Sequence, residues 1–167
     1  MDGLFDFEDH SALLKDAMRL AVGGVSVITA GIGEERTGPT VTSATSLPMT
    51  PPTMLVCVNR SASAMPVIEQ RRHFCVNVIG ADSQAIAERF SGFGGVKGAA
   101  RYAEAQWRSL ETGALALVGA LACADCEVDE LIERHSHVII IGAVRAVTTR
   151  DGAPLVHSNG RYRLLPD

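Results

Sequence analysis

Residues 38–59 read GPTVTSATSLPMTPPTMLVCVN, two apolar runs parted by a double proline, the first of them crowded with small hydroxyl side chains. Thr40-Val41-Thr42 starts as a strand does, with β-branched residues in a row. Alternation is then lost over Ser43, Ala44, Thr45 and Ser46, the pattern of a strand opening into a ligand-facing loop. Pro51-Pro52 has no N–H to give a sheet ladder, so it breaks the two runs apart. Met54 to Val58 reads as a buried strand, and Asn59-Arg60-Ser61-Ala62-Ser63 as a polar turn after it. Each hydroxyl brings one donor and up to two acceptors without charge. No His, Asp or Glu stands in the stretch to activate one as a nucleophile. Two uses fit: satisfaction of nearby backbone groups, or a seat for a flat, phosphate-bearing ligand.

Upstream, Val25 to Ala30 alternates as a strand and residues 31–37 form a polar turn, so the stretch is the second arm of a hairpin. Before it, Leu13, Leu14, Ala17, Met18 and Leu20 share one helical face, with Ser11 or Asp9 as N-cap and Gly23-Gly24 as the stop. Downstream, a short helix over Met65 to Gln70 carries Pro66 in its first turn, where a missing N–H is harmless. His73 to Ile79 is a strand, and Ser83 to Phe90 a helix with Ser83 as its cap. Ser91 to Gly98, SGFGGVKG, is too glycine-rich for either regular state and reads as a mobile or ligand-ordered loop. Strand candidates follow over Ala114 to Leu121, Ala122 to Val128, Val138 to Val147 and Leu155 to Leu165; within the last, Asn159-Gly160 suits a tight turn. Many short strands and few helices predict a mainly β fold, an antiparallel barrel or sandwich. Ser91-Gly92-Phe93-Gly94-Gly95 follows a helix rather than a strand, which argues against a dinucleotide-binding glycine loop.

With 167 residues, one domain is expected, with residues 1–10 as a flexible acidic arm. Hydrophobic residues at 47% and charged residues at 20% exclude a disordered chain. A net charge of −4 gives no basic face for nucleic acid. No apolar run reaches membrane-spanning length and the N-terminus carries no secretion signal, so a cytoplasmic location with reduced thiols is expected. Cys123-x-x-Cys126 has ligand-like spacing, but Cys57 and Cys75 sit singly in apolar runs, so no metal site is expected.

Six segments in order, AVGGVSVITA, residues 38–63, FCVNVIG, IAERFSGFGGVKGAARY, HSHVIIIGAV and NGRYRLL, resemble the flavin reductase-like family. These are the small reductases that supply reduced flavin to two-component monooxygenases. The resemblance spans Leu20 to Arg163 and implies a split β-barrel, a homodimer with flavin sites near its interface, FMN or FAD as flavin, NADH or NADPH as hydride donor, and a separate oxygenase partner. It implies that Thr42, Ser43, Ala44 and Thr45 meet the flavin ring edge and ribityl chain, that Cys57 and Val58 line the ring side, and that Asn59, Ser61 and Ser63 lie nearer the phosphate. Arg60, Arg89, Lys97 and Arg101 are the cations available to that phosphate, with Lys97 and Arg101 inside the family-like VKGAARY segment. Arg161 and Tyr162 are implied near the pocket, the one for a nucleotide phosphate and the other for ring stacking. His137 stands where the family carries a histidine facing flavin and nicotinamide, and is the expected catalytic residue. The family places an acid just before it; here that residue is Ser136, which puts a histidine–carboxylate pair in doubt. His135 reads as surface. Two other uses of the same fold stay open: reduction of a different acceptor, such as a cob(II)alamin-type corrin, and storage or sensing of flavin or heme without turnover.

Overall fold

The computed structural model describes residues 10–165. In chain order the elements are α1 (His10–Leu20), β1 (Gly23–Gly24), β2 (Ser26–Thr29), β3 (Thr40–Val41), β4 (Thr45–Met49), β5 (Pro52–Asn59), α2 (Ala64–Arg71) and β6 (His73–Val78). They continue with α3 (Gln84–Phe90), β7 (Trp107–Ser109), β8 (Leu115–Leu117), β9 (Ala122–Arg134), β10 (His137–Thr149), β11 (Leu155–Ser158) and β12 (Arg161–Leu164). The proposed arm falls, apart from His10 in α1, outside the described residues, as does Asp9 as a cap.

Seven strands form one antiparallel sheet in the order β3-β2-β6-β9-β10-β5-β4. Its two edges, β3 and β4, are consecutive in sequence and only residues 42–44 lie between them. Four chain steps from Val41 to Thr45 reach at most about 14 Å. The far edges of a seven-stranded sheet therefore come together, which curls the sheet into a barrel. No ladder joins β3 to β4, so the barrel is split there. Ser43 sits in that seam: its hydroxyl donates to the Cys57 carbonyl at 2.8 Å and accepts the Cys57 N–H at 3.3 Å, continuing the β4–β5 pairing with a side chain.

Curling buries both faces of the central strands, and two apolar clusters result. Val25, Val27, Cys75, Ile79, Phe90, Tyr102 and Leu155 pack on one face, Ile28, Val56, Met65, Ile68, Phe74, Val138 and Ile140 on the other. Val27 and Ile28 are adjacent, so β2 is buried throughout and its expected half-exposed alternation is absent. Buried polar groups fasten the segment before β9 onto this frame. Asn77 accepts the Leu117 N–H at 2.7 Å and donates to the Val27 carbonyl at 3.1 Å and to Thr29 Oγ1 at 3.2 Å. Asp125 accepts the N–H groups of Glu111 and Thr112, each at 2.7 Å.

Elements expected from the sequence recur with altered bounds. The strand predicted over Ala114 to Leu121 is only Leu115–Leu117, because Gly119 turns the chain at φ +94°. The strand from Ala122 runs beyond Val128 to Arg134, paired to β10 along its whole length. The last apolar run is a hairpin, β11 and β12, turning on Asn159 (φ +52°) and Gly160 (φ +74°) as the Asn-Gly pair predicts. Ser83 makes no side-chain cap bond to α3; its hydroxyl donates to Asp82 Oδ1 instead. Helix α1 forms, yet none of its residues is buried. Among the described residues, no helix is long and apolar enough to cross a membrane.

Candidate functional site

The β5–β10 ladder sets Asn59 opposite His137, two residues far apart in the chain. Both line a cleft of about 380 Å³ with Pro39, Thr40, Val41, Thr42, Ser43, Cys57, Val58 and Ala62. The seam thus supplies one wall, the end of β5 a second, and the start of β10 the mouth. His137 is exposed, and its Nδ1 lies 2.9 Å from Ser136 Oγ. That serine is itself held, since its carbonyl accepts the Arg60 N–H at 2.9 Å. The hydroxyl therefore occupies the place of the family's acid and leaves Nε2 as the ring's unbonded nitrogen.

Two smaller lobes open from the same wall. The first, about 190 Å³, lies between the loop at Gly38, the start of α2 at Ser63 and Ala64, and Arg101, with Phe90 and Ser91 behind. The Arg101 guanidinium donates to the carbonyls of Gly38 and, at 3.1 Å, Val96, and makes no ion pair among the described residues. Burial draws its pKa below the ordinary arginine value, though arginine stays charged at neutral pH. At the start of α2 the Met65 N–H is already taken by the Ala62 carbonyl at 3.0 Å. Arg101 without an ion pair and the Ser63 hydroxyl, shared with Thr37, thus face one lobe and make it a candidate anion seat. Gly38 is required at its base: a Cβ there would lie 1.8 Å from the Ile28 carbonyl oxygen.

The second lobe, about 250 Å³, is bounded by Val25, Thr40, Val41, Thr42, Ser91, His157 and Tyr162. Tyr162 meets His157 edge-on, ring centroids 5.6 Å apart, and burial raises its phenol pKa.

The structure thus gathers Thr42, Ser43, Cys57, Val58, Asn59 and His137 around one cleft, with Ser63 and Arg101 in the adjoining lobe and Tyr162 in the other. Several hydroxyls are spent locally, as the plainer reading of the stretch allows. Ser43 bridges to Cys57, Ser61 donates twice to Asn59 Oδ1, Ser63 bonds Thr37 Oγ1 at 2.9 Å, and Thr45 reaches only the neighbouring Ser46 carbonyl. Ala44 packs on the core rather than lining the cleft, and Lys97 and Arg161 are exposed and outside all three linings. Arg60 pairs with Glu133 and Arg89 with Glu104 at the surface, and neither arginine lines any of the three lobes. Ser91 and His157 line the site without having been singled out, since nothing local marks them. Cys123 and Cys126 face opposite apolar clusters across β9, so their spacing cannot chelate; no group of three metal-ligating side chains gathers among the described residues.

Comparison with known proteins agrees with this geometry. A model of the flavin reductase like domain matches residues 18–166. A curated relative, FMN reductase (NADH) RutF 2 of Methylorubrum extorquens strain PA1, is 36% identical over 153 residues, covering 91% of this chain and 88% of its own. Among solved structures, BorF, the flavin reductase component of a bacterial two-component tryptophan halogenase, superposes with a TM-score of 0.85 at 30% identity over 94% of this chain and 99% of that one. The Streptomyces globisporus C-1027 NADH:FAD oxidoreductase SgcE6, solved with NAD and FAD fragments, gives 0.86 at 28% identity over 99% and 98%. Split sheet, seam and sequence match converge, and the chain belongs to the flavin reductase like domain family.

Proposed function

We propose that this protein oxidises NADH and reduces a flavin, FMN foremost, which it passes to a separate oxygenase component. The observation that carries the reading is the joining of the His137 cleft to the lobe lined by Arg101. A flavin mononucleotide needs a slot for its ring and a cation for its phosphate, and these two lobes share Pro39, Thr40 and Ala62. The relatives named for NADH, FMN and FAD support the donor and acceptor, and the halogenase component supports an oxygenase partner.

Flavin held here would supply the two-electron redox chemistry, with the nicotinamide nucleotide as hydride donor. The protein contributes placement. Thr42 and the Cys57–Val58 strand hold the ring edge; Asn59, its amide oxygen fixed by Ser61, shapes the turn toward the phosphate seat. Arg101 holds the phosphate, with the Ser63 hydroxyl, oriented by Thr37 Oγ1, at the edge of the same lobe. His137 at the mouth directs Nε2 toward the substrates, its ring kept in one orientation by Ser136, and orients the nicotinamide or delivers a proton. No side chain acts as a covalent nucleophile.

We further infer a homodimer. Leu13, Leu14, Met18 and Leu20 on α1 are 61%, 62%, 59% and 76% exposed, and an apolar helix face of this kind is covered in a stable protein. A cytoplasmic location fits a nicotinamide nucleotide substrate and the four free thiols. The direct test is the anaerobic absorption spectrum with NADH: bleaching of added FMN or FAD with loss of NADH is expected, and no NADH oxidation with either flavin refutes the proposal. Light scattering reads the oligomeric state, a monomer ruling out the dimer.

A further inference from the structure

Away from the flavin lobes, and sharing no lining residue with them, lies a cleft of about 420 Å³ walled by Arg71, Arg72, Arg145, Glu111 and Glu127, with His73 and Thr112 between. Arg145 stands eight residues beyond His137 on β10, about 26 Å along the strand. His73 is 7% exposed, its Nδ1 2.8 Å from the Thr112 carbonyl and its Nε2 accepting the Gly31 N–H at 3.3 Å, so neither ring nitrogen is left for a ligand. The three arginines are each held from one side. Arg71 donates through Nε, at 2.9 Å, and Nη2 to one oxygen of Glu35, and Arg145 does the same to one oxygen of Glu127. Arg72 donates through Nη2 to the carbonyls of Val128 at 3.2 Å and Asp129 at 3.3 Å and has no acid partner among the described residues. In all three the Nη1 group has no partner among the described residues. A guanidinium gripped along one edge keeps its remaining donors in a fixed fork, which suits an oxyanion. The backbone is also bent to place two of them. Arg72 caps α2 at φ +54°, the left-handed conformation that glycine or asparagine ordinarily fills. Arg145 is the extra residue of a bulge in β10, between Val144 opposite Cys126 and Ala146 opposite Asp125. Residues kept in such positions concentrate at functional sites.

We infer that this cleft is a second anion site, separate from the flavin lobes, and takes a small, multiply charged oxyanion, a phosphate or a dicarboxylate. Three guanidiniums line it against two carboxylates, and Glu127 is already paired with Arg145. Glu111 is the opposing charge. Its carboxylate has no partner among the described residues, and Asp125, accepting its backbone N–H at 2.7 Å, fixes the residue in the lining. A monoanion gains too little from exposed guanidiniums to outweigh that charge, whereas a dianion bridges two of them at once. Because no lining residue is shared with the flavin lobes, the site stands whether or not the flavin reading does.

The test is titration calorimetry at low salt with inorganic phosphate and with succinate, in wild-type protein and in Arg101→Met, which removes the cation of the flavin-side lobe. Binding that persists in Arg101→Met is expected, and the tighter of the two anions names the ligand class; either one supports the inference. Adding Arg72→Gly to Arg101→Met weakens that binding by about tenfold, the worth of one hydrogen bond to a charged group. Glycine suits the left-handed turn, so this variant folds. Adding Glu111→Gln instead tightens binding by about threefold, since a like charge is removed from the lining. No binding of either anion in Arg101→Met, equal binding with and without Arg72, or unchanged or weakened binding in Glu111→Gln overturns the inference. Should Arg72→Gly unfold, Arg145→Met carries the same comparison. FMN titrated into wild-type protein is read separately: absence of FMN binding sinks the flavin reading and leaves the phosphate and succinate results to decide this one.

Discussion

Replacing Arg101 by methionine removes the cation that lines the proposed anion seat while keeping an unbranched apolar stem, and its effect separates two kinds of contact. The guanidinium bonds the carbonyls of Gly38 and Val96 and has no acid partner among the described residues, so its charge is available to a ligand. A hydrogen bond to a charged group contributes about 1.5–3 kcal/mol. Because Arg101 is only half-buried, solvent screening holds the value nearer the lower half of that range, about 2 kcal/mol. That corresponds to about a thirtyfold weaker dissociation constant for FMN. Riboflavin has the same ring and ribityl chain without the phosphate, so loss of the two carbonyl contacts acts on both ligands alike. The ratio of FMN to riboflavin affinity, measured by flavin fluorescence in wild type and Arg101→Met, therefore isolates the phosphate contact. We expect the ratio to collapse in the variant and the wild-type preference to shrink with added salt. Equal weakening of both ligands, or an unchanged FMN constant, refutes the assignment of Arg101 to phosphate.

The same geometry sets three further outcomes. His137→Ala lowers kcat for NADH oxidation by about tenfold to a hundredfold, and Ser136→Ala, which only frees the ring, by about threefold; an unchanged rate for His137→Ala in stopped-flow traces removes its role. Maleimide labels Cys57, the half-exposed thiol of the cleft, and saturating FMN protects it, whereas Cys75, Cys123 and Cys126 react only after denaturation. Cys126 is doubly inert, since burial pushes its thiol up to about 12; mass spectrometry of the labelled peptides decides the matter, and equal labelling with and without FMN counts against the cleft. Gly38→Ala forces a Cβ against the Ile28 carbonyl and destabilises by about 3 kcal/mol or more, visible as a lowered urea midpoint.

The strand order could not be read from periodicity, though most strands could. Val25 to Ala30 shows why: alternating polar and apolar residues predict one buried face, yet Ser26 and Thr29 are buried too because the sheet curls over both sides. Nothing in a local window reports that curl; it follows from residues 42–44 joining the sheet's two edges. Family-like segments pointed to His137, Asn59 and Arg101 because each stands in a recurring motif. They pointed equally to Lys97 and Arg161, which are exposed and outside the lobes. A residue's place in a motif does not say which way its side chain faces on a strand or loop. Ser91 and His157 went unmarked for the opposite reason: each is ordinary in its own segment, and only the tertiary fold brings the end of α3 and strand β11 to one lobe. The apolar stripe of α1 was legible as a helix face, yet none of its residues is buried in the described fold.

The pairing of Asn59 with His137 has a consequence for biosynthesis. Contacts between distant chain segments form late, because the intervening loop must be closed before they repay its entropy. A nascent chain emerging from the ribosome exposes the hydroxyl-rich seam long before the strand that completes the cleft. Flavin affinity should therefore arise abruptly near the end of translation, and stalled or truncated products should carry unpaired strand edges and no ligand to stabilise them. A flavin that binds only the finished cleft would stabilise the folded chain by mass action, and the unfinished one not at all.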